Sequence, residues 1–479
     1  MTHRGELCKF FGRWKVLSFT SLLALALASG MRLEAQTDPG PRGGAPGAGT
    51  PIAGLAAGEK DFFVNVATPT FNETESVSKG LGPRFNLDSC AGCHVQPAVG
   101  GSSPGTNPQF TRAGTMAPGN TIPFFVTLNG PIREARFIKN VDGSPDGGVH
   151  DLFTIAGRPD KPAGCSIQQP NFQQQFNNNN LIFRIPTPVF GAGLIEAITD
   201  TIIRNNLASD PGGQKAVLGI GGHVNTNGND GTVTRFGWKA QNKSLMIFAG
   251  EAYNVEMGVS NENFSNEREE DANCAKNSTP ESDFGFSVGS IAASDITAFR
   301  GFMRFLDQPT AVTSFGTVSA ASIQTGRNLF SSTGCALCHT PTLTTGSSAT
   351  AVLSSKQANL FSDLALHHMG SSLADGIRQG TAGPDEFRTV PLWGIGQRIF
   401  FLHDGRTRDL LQAIQAHQSD GGDCATTADG ETFVQESVGF QAAASATFFC
   451  GSEANGVIGN FNNLSTSQKQ DILNFLRSL

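Results

Sequence analysis

Helical spacing is clearest near the C-terminus of this chain. Ile472, Leu473, Leu476 and Leu479 recur at helical intervals in LSTSQKQDILNFLRSL, with Ser465 and Gln468 at capping-box spacing. A second helix is predicted in SAASIQTGRNLFSS, where Ile323, Gly326, Leu329 and Phe330 share one side. Leu410 and Ile414 at i and i+4 predict a third, with His417 at i+7 on the same buried face. The N-terminal half is less regular: short apolar runs are separated by Asn-rich and Gly-rich loops such as QQQFNNNNLIF and GGHVNTNGNDGTVTR. At the start, Arg4, Lys9, Arg13 and Lys15 precede an apolar run from about Val16 to Ala28. That run is short for a membrane span and is followed by small residues, so residues 1–35 read as a secretory signal. Residues 36–53, rich in Pro and Gly, are expected to be a disordered leader.

Two short runs change the picture. CAGCH places Cys90, Cys93 and His94 together, and CALCH repeats the spacing at Cys335, Cys338 and His339. Two thiols at this spacing can each add to one vinyl group of a haem, and the adjacent His then reaches the iron, so each run predicts one covalently bound haem c. A zinc ribbon would need its second CxxC much closer, and a dithiol redox site does not require the trailing His. His94 and His339 are therefore the expected proximal iron ligands. The fold class that follows is mainly α: two cytochrome c-like haem domains with long loops, and a loop-rich, partly β insertion in the N-terminal half. The boundaries are residues 54–310 and 311–479.

Composition narrows the function. The net charge of −7, which becomes more negative once the basic leader is removed, excludes a nucleic-acid surface. No stretch of the remaining chain is apolar enough to cross a bilayer, and c-type haem attachment fits a periplasmic or secreted location, where disulfides persist. Cys165, Cys274, Cys424 and Cys450 remain outside the haem motifs and the signal segment. Their most economical pairing is Cys165 with Cys274 and Cys424 with Cys450, although three pairings are open to four cysteines. An internal repeat links the halves. FRIPTPVFGAGLIEAI from Phe183 matches FRTVPLWGIG from Phe387, and LIEAI (Leu194 to Ile198) matches LLQAI (Leu410 to Ile414).

CAGCHVQPAVGGSSP, FRIPTPVFGAGLIEAI, GWKAQNKSL, LHHMGSSLADG, FRTVPLWGIG and FLHDGRTRDLLQAIQAH together resemble the dihaem thiol oxidoreductases. That family is related to bacterial dihaem cytochrome c peroxidases and to the dihaem enzyme that matures methylamine dehydrogenase. The resemblance implies a distal ligand fourteen positions beyond the His of the HDG turn. From His403 this is His417, where the peroxidases usually have Met, and Met369 is the runner-up. Bis-His ligation implies a lower potential than His/Met ligation. In the first half the repeat places Thr201 where His417 stands, so the first haem is expected to keep an open sixth position.

Glu196 is the candidate for moving protons at a bound peroxide, with His150 and His223 as rivals. Trp393, with Trp238 as the second choice, is the candidate electron relay that the relatives place between their haems. Tyr253 is the one Tyr in a chain with 36 Phe and is expected to be a core residue. In LALHHMG, His367 and His368 also tempt a ligand assignment, but the family commonly has an acidic residue where His368 sits. A calcium ion between the domains is implied without assignable ligands. The resulting expectation is an exported enzyme that takes electrons from an external small redox protein at the second haem and reduces a small oxidant such as hydrogen peroxide at the first. A pure electron carrier, a dihaem oxygenase and a thiol oxidase are its rivals.

Overall fold

The computed structural model describes residues 36–268, 271–274, 280–282, 285–287, 290–419 and 451–479. The expected signal segment 1–35, and Cys424 and Cys450 with their expected disulfide, lie outside them. Helix predominates at 34%, strand accounts for 11%, and the strands form small sheets of two or three members. No helix among the described residues is long and apolar enough to cross a membrane.

The elements that build the site are α1 (Cys90–Cys93), α2 (Ala192–Ala197), α3 (Leu245–Met257), α4 (Asp295–Phe305), α5 (Ala320–Ser332), α6 (Leu410–Gln415) and α7 (Thr466–Ser478). Helices α5 and α7 match the predicted spans, and α7 starts with the predicted capping box between Ser465 and Gln468, a feature that typically contributes about 1 kcal/mol. Gly326 explains how closely the two helices pack: a Cβ there would meet the Asp471 carbonyl oxygen at 1.9 Å. Phe330 of α5 and Ile472, Leu473, Phe475 and Leu476 of α7 bury one face of each helix in a shared apolar cluster.

In the N-terminal half, β1 (Glu134–Phe137) pairs antiparallel with both β2 (Val149–His150) and β3 (Leu181–Arg184). Strand alternation puts Glu134 and Arg136 on one face and Ala135 and Phe137 on the other. Pairing Glu134 with Arg184 makes that first face a charged wall. In the C-terminal half, β4 (Leu366–His368) pairs with β5 (Glu386–Arg388).

The internal repeat has a structural counterpart. Arg184 ends β3 and Arg388 ends β5. Each is followed by a glycine in the left-handed region, Gly191 (φ 63°) and Gly394 (φ 74°), which caps the next helical turn. A side chain at either position would be strained.

The leader departs from expectation. Residues 37–52 run along the folded chain instead of lacking structure. Asp38 pairs with the fully buried Arg477 of α7, Arg42 N–H donates to the Gly396 carbonyl, and Ile52 N–H donates to the Phe305 carbonyl. Composition alone predicts flexibility, but a buried guanidinium that needs a carboxylate holds the segment in place. The expected Cys165–Cys274 disulfide is present.

Candidate haem-binding cavities

Each CxxCH run opens onto its own cavity. The first is lined by Cys90, Cys93 and His94, by Tyr253, Glu256 and Met257 of α3, by Phe299 and Met303 of α4, and by the charged wall of β1 and β3. The second is lined by Cys335, Cys338 and His339, by Leu410, Ala413 and Ile414 of α6, by Ile472 and Leu476 of α7, and by His417. Among the described residues the four motif cysteines are the free ones. Burial pushes the Cys90 thiol up to about 12 and the Cys335 thiol up to about 11.

Three imidazoles are prepared alike. His94 Nδ1–H donates to the Gly101 carbonyl at 3.1 Å, His339 Nδ1–H to the Phe361 carbonyl at 3.0 Å and His417 Nδ1–H to the Ala413 carbonyl at 2.8 Å. A carbonyl only accepts, so each bond fixes the proton on Nδ1 and leaves the Nε2 lone pair for a ligand. Burial holds all three rings in the neutral form: His94 and His339 drop to about 4, and His417 is also lowered. The nearby His417 lowers His339 further. His417 sits just beyond the end of α6, not within it, yet it faces the cavity as predicted.

Whether these cavities fit a haem can be tested on their cations. Arg398 and Arg388 line the second cavity and are buried, and their Nε and Nη2 (Arg398) and Nη1 (Arg388) have no hydrogen-bond partner. Burial alone pulls both guanidinium groups down to about 10. Arg184, which holds the repeat position equivalent to Arg388, lines the first cavity with its Nε unpartnered. Arg184 is paired with Asp375 through its other nitrogens, whereas Arg388 and Arg398 sit beside a mostly apolar space with no ion pair among the described residues. The propionates of a haem would supply anions to Arg388 and Arg398 in the second cavity and an acceptor for Arg184 Nε in the first, and two free thiols and a waiting imidazole complete the fit in each.

The remaining predicted site residues are placed as follows. Glu196 does not reach the first cavity. It pairs with Arg304 of α4 and accepts from Leu245 N–H of α3. The carboxyl groups that do line the cavity include Glu134 and Glu256, which are hydrogen-bonded to each other. Burial, and then the Glu134 charge, push Glu256 well above the ordinary carboxyl range. Burial would raise Glu134 too, but Arg136 and the bond from Glu256 hold it down. One proton is thus shared by the pair and resides on Glu256. A signal for them was present: Glu134 alternates with Ala135 and Phe137, and Glu256 falls three positions after Tyr253 on the cavity face of α3.

Trp393 likewise lines neither cavity. It is buried in the main apolar cluster, and its ring lies where a Cβ on Gly191 would be, at 2.6 Å. Trp238 lines both cavities. Its Nε1–H donates to the Ile185 carbonyl at 2.9 Å, His403 meets it edge-on at 6.3 Å, and the Arg398 guanidinium lies 5.9 Å from its ring. The next residue, Lys239, fixes this position from behind. Fully buried, it pairs with Asp375 at 3.1 Å, and Asp375 also pairs with Arg184 at 2.7 Å.

The other histidines are occupied elsewhere. His150 pairs with Asp146 and stacks on Phe137, and His223 pairs with Glu386. His368 bonds Asp385 and Glu386. His367 lines the second cavity, but its nitrogens go to Asp363 and Glu453. Met369 lines the second cavity as well. Thr201 is exposed and lines neither cavity.

The family model described as di-haem oxidoreductase, putative peroxidase, matches residues 140–435. The chain belongs to this di-haem oxidoreductase family. The matched span contains CALCH, His417, Trp238 and Glu256, while CAGCH and Glu134 precede it. No curated protein and no solved structure matches the chain. Membership makes the protein an oxidoreductase that works with two haems, in keeping with the paired cavities.

Proposed function

We propose that this di-haem oxidoreductase is an exported peroxide reductase, with haem c attached covalently through Cys90 and Cys93 in the first cavity and through Cys335 and Cys338 in the second. One observation carries the reading: the second cavity offers two prepared imidazoles, His339 and His417, and the first offers one, His94, together with a carboxyl pair. Two imidazoles saturate an iron and suit electron transfer, whereas a single one leaves a coordination position for a small oxidant.

When bound, the haems supply the electron transfer and the O–O bond cleavage. The chain supplies the rest. The Glu134–Glu256 pair holds one proton between two groups, the form that can accept a proton from one peroxide oxygen and return one to the other. Trp238, touching both cavities, is the side chain placed to pass electrons between them, and the buried Lys239–Asp375–Arg184 contacts keep it there. In this reading the electron donor is an external small redox protein.

Absorption and EPR spectra of the ferric protein test the proposal. One high-spin and one low-spin haem are expected, with added cyanide converting only the high-spin one. Two low-spin haems that ignore cyanide would make the protein a pure electron carrier. Turnover of small thiols without peroxide would favour the thiol oxidase instead.

A further inference from the structure

Tyr253 is the chain's one tyrosine among 36 Phe. It is not merely a filler of the core. Only 2% exposed, it lines the first cavity from α3, and Phe299 packs edge-on against its ring at 4.9 Å. Its phenol oxygen lies 3.2 Å from Glu75 Oε1 and 3.1 Å from Asp295 Oδ2. A phenol carries one proton and can donate to only one of two carboxyl groups. The other must itself be protonated and donate to the phenol oxygen. Glu75 is the more readily protonated of the two: burial, and then the charges of Glu73 and Asp295, raise it to about 7, against the opposing effects of its bond with Tyr253 and of Lys79. With Glu75 protonated, the phenol donates to Asp295, at the start of α4 and the nearer of the two at 3.1 Å.

We propose that Tyr253 is a redox-active residue that holds an oxidising equivalent for the first haem. In the step envisaged, the phenol gives one electron to the first haem after that haem has been oxidised by peroxide. Its proton passes from Oη to Asp295 Oδ2, leaving a neutral tyrosyl radical. Glu75 keeps donating to the oxygen and stabilises the product. No charge is left stranded in the buried site, because electron and proton leave together. An ordinary buried tyrosine needs one hydrogen-bond partner; a proton-coupled oxidation requires an acceptor for the phenol proton, which Asp295 offers, and a donor such as Glu75 steadies the oxygen once that proton has left. The inference rests on the proposed reaction at the first haem.

The test is EPR of the ferric holoprotein frozen after mixing with hydrogen peroxide, with absorption spectra recorded in parallel. A tyrosyl signal is expected, and it should narrow when the protein is made with ring-deuterated tyrosine. With a single tyrosine in the chain, the signal can belong only to Tyr253, and Tyr253→Phe should abolish it. Asp295→Asn, which removes the proton acceptor, should lose the signal while both haem spectra stay as in the parent. Glu75→Gln, whose amide still donates, should keep it. A peroxide-induced change at the high-spin haem without any tyrosyl signal overturns the inference and leaves the proposed function standing. An undiminished signal in Asp295→Asn overturns the proton route and the inference with it. If peroxide changes neither haem, both readings fall.

Discussion

The two cavities have the same attachment chemistry and differ in nearly everything else. Both have two free thiols, an imidazole fixed through Nδ1, and an arginine from the repeated Phe-Arg pair. The second adds His417 and is otherwise walled mainly by apolar side chains from α5, α6 and α7. The first adds the hydrogen-bonded Glu134–Glu256 pair to its wall and, behind Tyr253, the carboxyl groups of Glu75 and Asp295. Unlike a ligand, a buried acid that shares a proton is costly unless it is used or paired. The difference teaches that the two cavities share their attachment residues and part ways in what surrounds each motif histidine.

The strongest way to break this comparison is to remove the extra imidazole. His417→Gly should abolish the low-spin ferric signal of the second haem and replace it with a high-spin one, leaving the first haem's spectrum alone. An unchanged low-spin signal would falsify the assignment of His417. Next in size is the carboxyl pair: Glu256→Gln should slow peroxide consumption by roughly 10²–10⁴-fold, whereas Glu196→Gln should disturb mainly the contact with Arg304. Comparable losses in the two variants would return the proton role to Glu196.

A smaller effect separates the tryptophans. Trp238→Phe should slow electron transfer from the second haem to the first, measured by stopped flow, and lower stability by about 1–3 kcal/mol through the lost hydrogen bond and the vacated volume. Trp393→Phe should leave the transfer rate as it was. If only the latter slows it, the path runs through the main core instead.

The smallest effect concerns the contacts behind Trp238. Burial alone would raise the Asp375 carboxyl, but Lys239 and Arg184 hold it down at about 2, against 3.8 for the free group. A depressed folded pKa means that stability present above pH about 4 is lost as the pH falls toward 2. The loss should be on the order of 2 kcal/mol. Urea midpoints measured across that window should fall, and Asp375→Asn, already destabilised at neutral pH, should show a shallower decline.

The sequence makes some of this legible and hides the rest for identifiable reasons. Local signals carried through: α5, α7 and the Ser465–Gln468 cap follow from spacing, and the CxxCH runs lead directly to the two cavities. His417 was also readable, since both the helical interval and the distance from His403 point to it. Glu196 and Trp393, expected at the haems, line neither cavity because tertiary partners decide their place. Glu196 is as polar as Glu256, but Arg304, more than a hundred positions away, draws it off. Trp393 sits in the more specific motif, yet its Gly191 contact places it in the main core, while Trp238 reaches both cavities because Ile185 and Lys239 anchor it. Composition misled once, in the leader, because the partner of Asp38 lies near the other end of the chain.

That last contact has a consequence for the second cavity. Asp38 and Arg477 are 439 positions apart, and Arg477 also donates to the backbone carbonyl of Arg398, on the wall of the second cavity. One guanidinium thus ties the Pro/Gly segment, α7 and a wall residue of the second cavity together, so a change at Asp38 is felt at that wall from the far end of the chain.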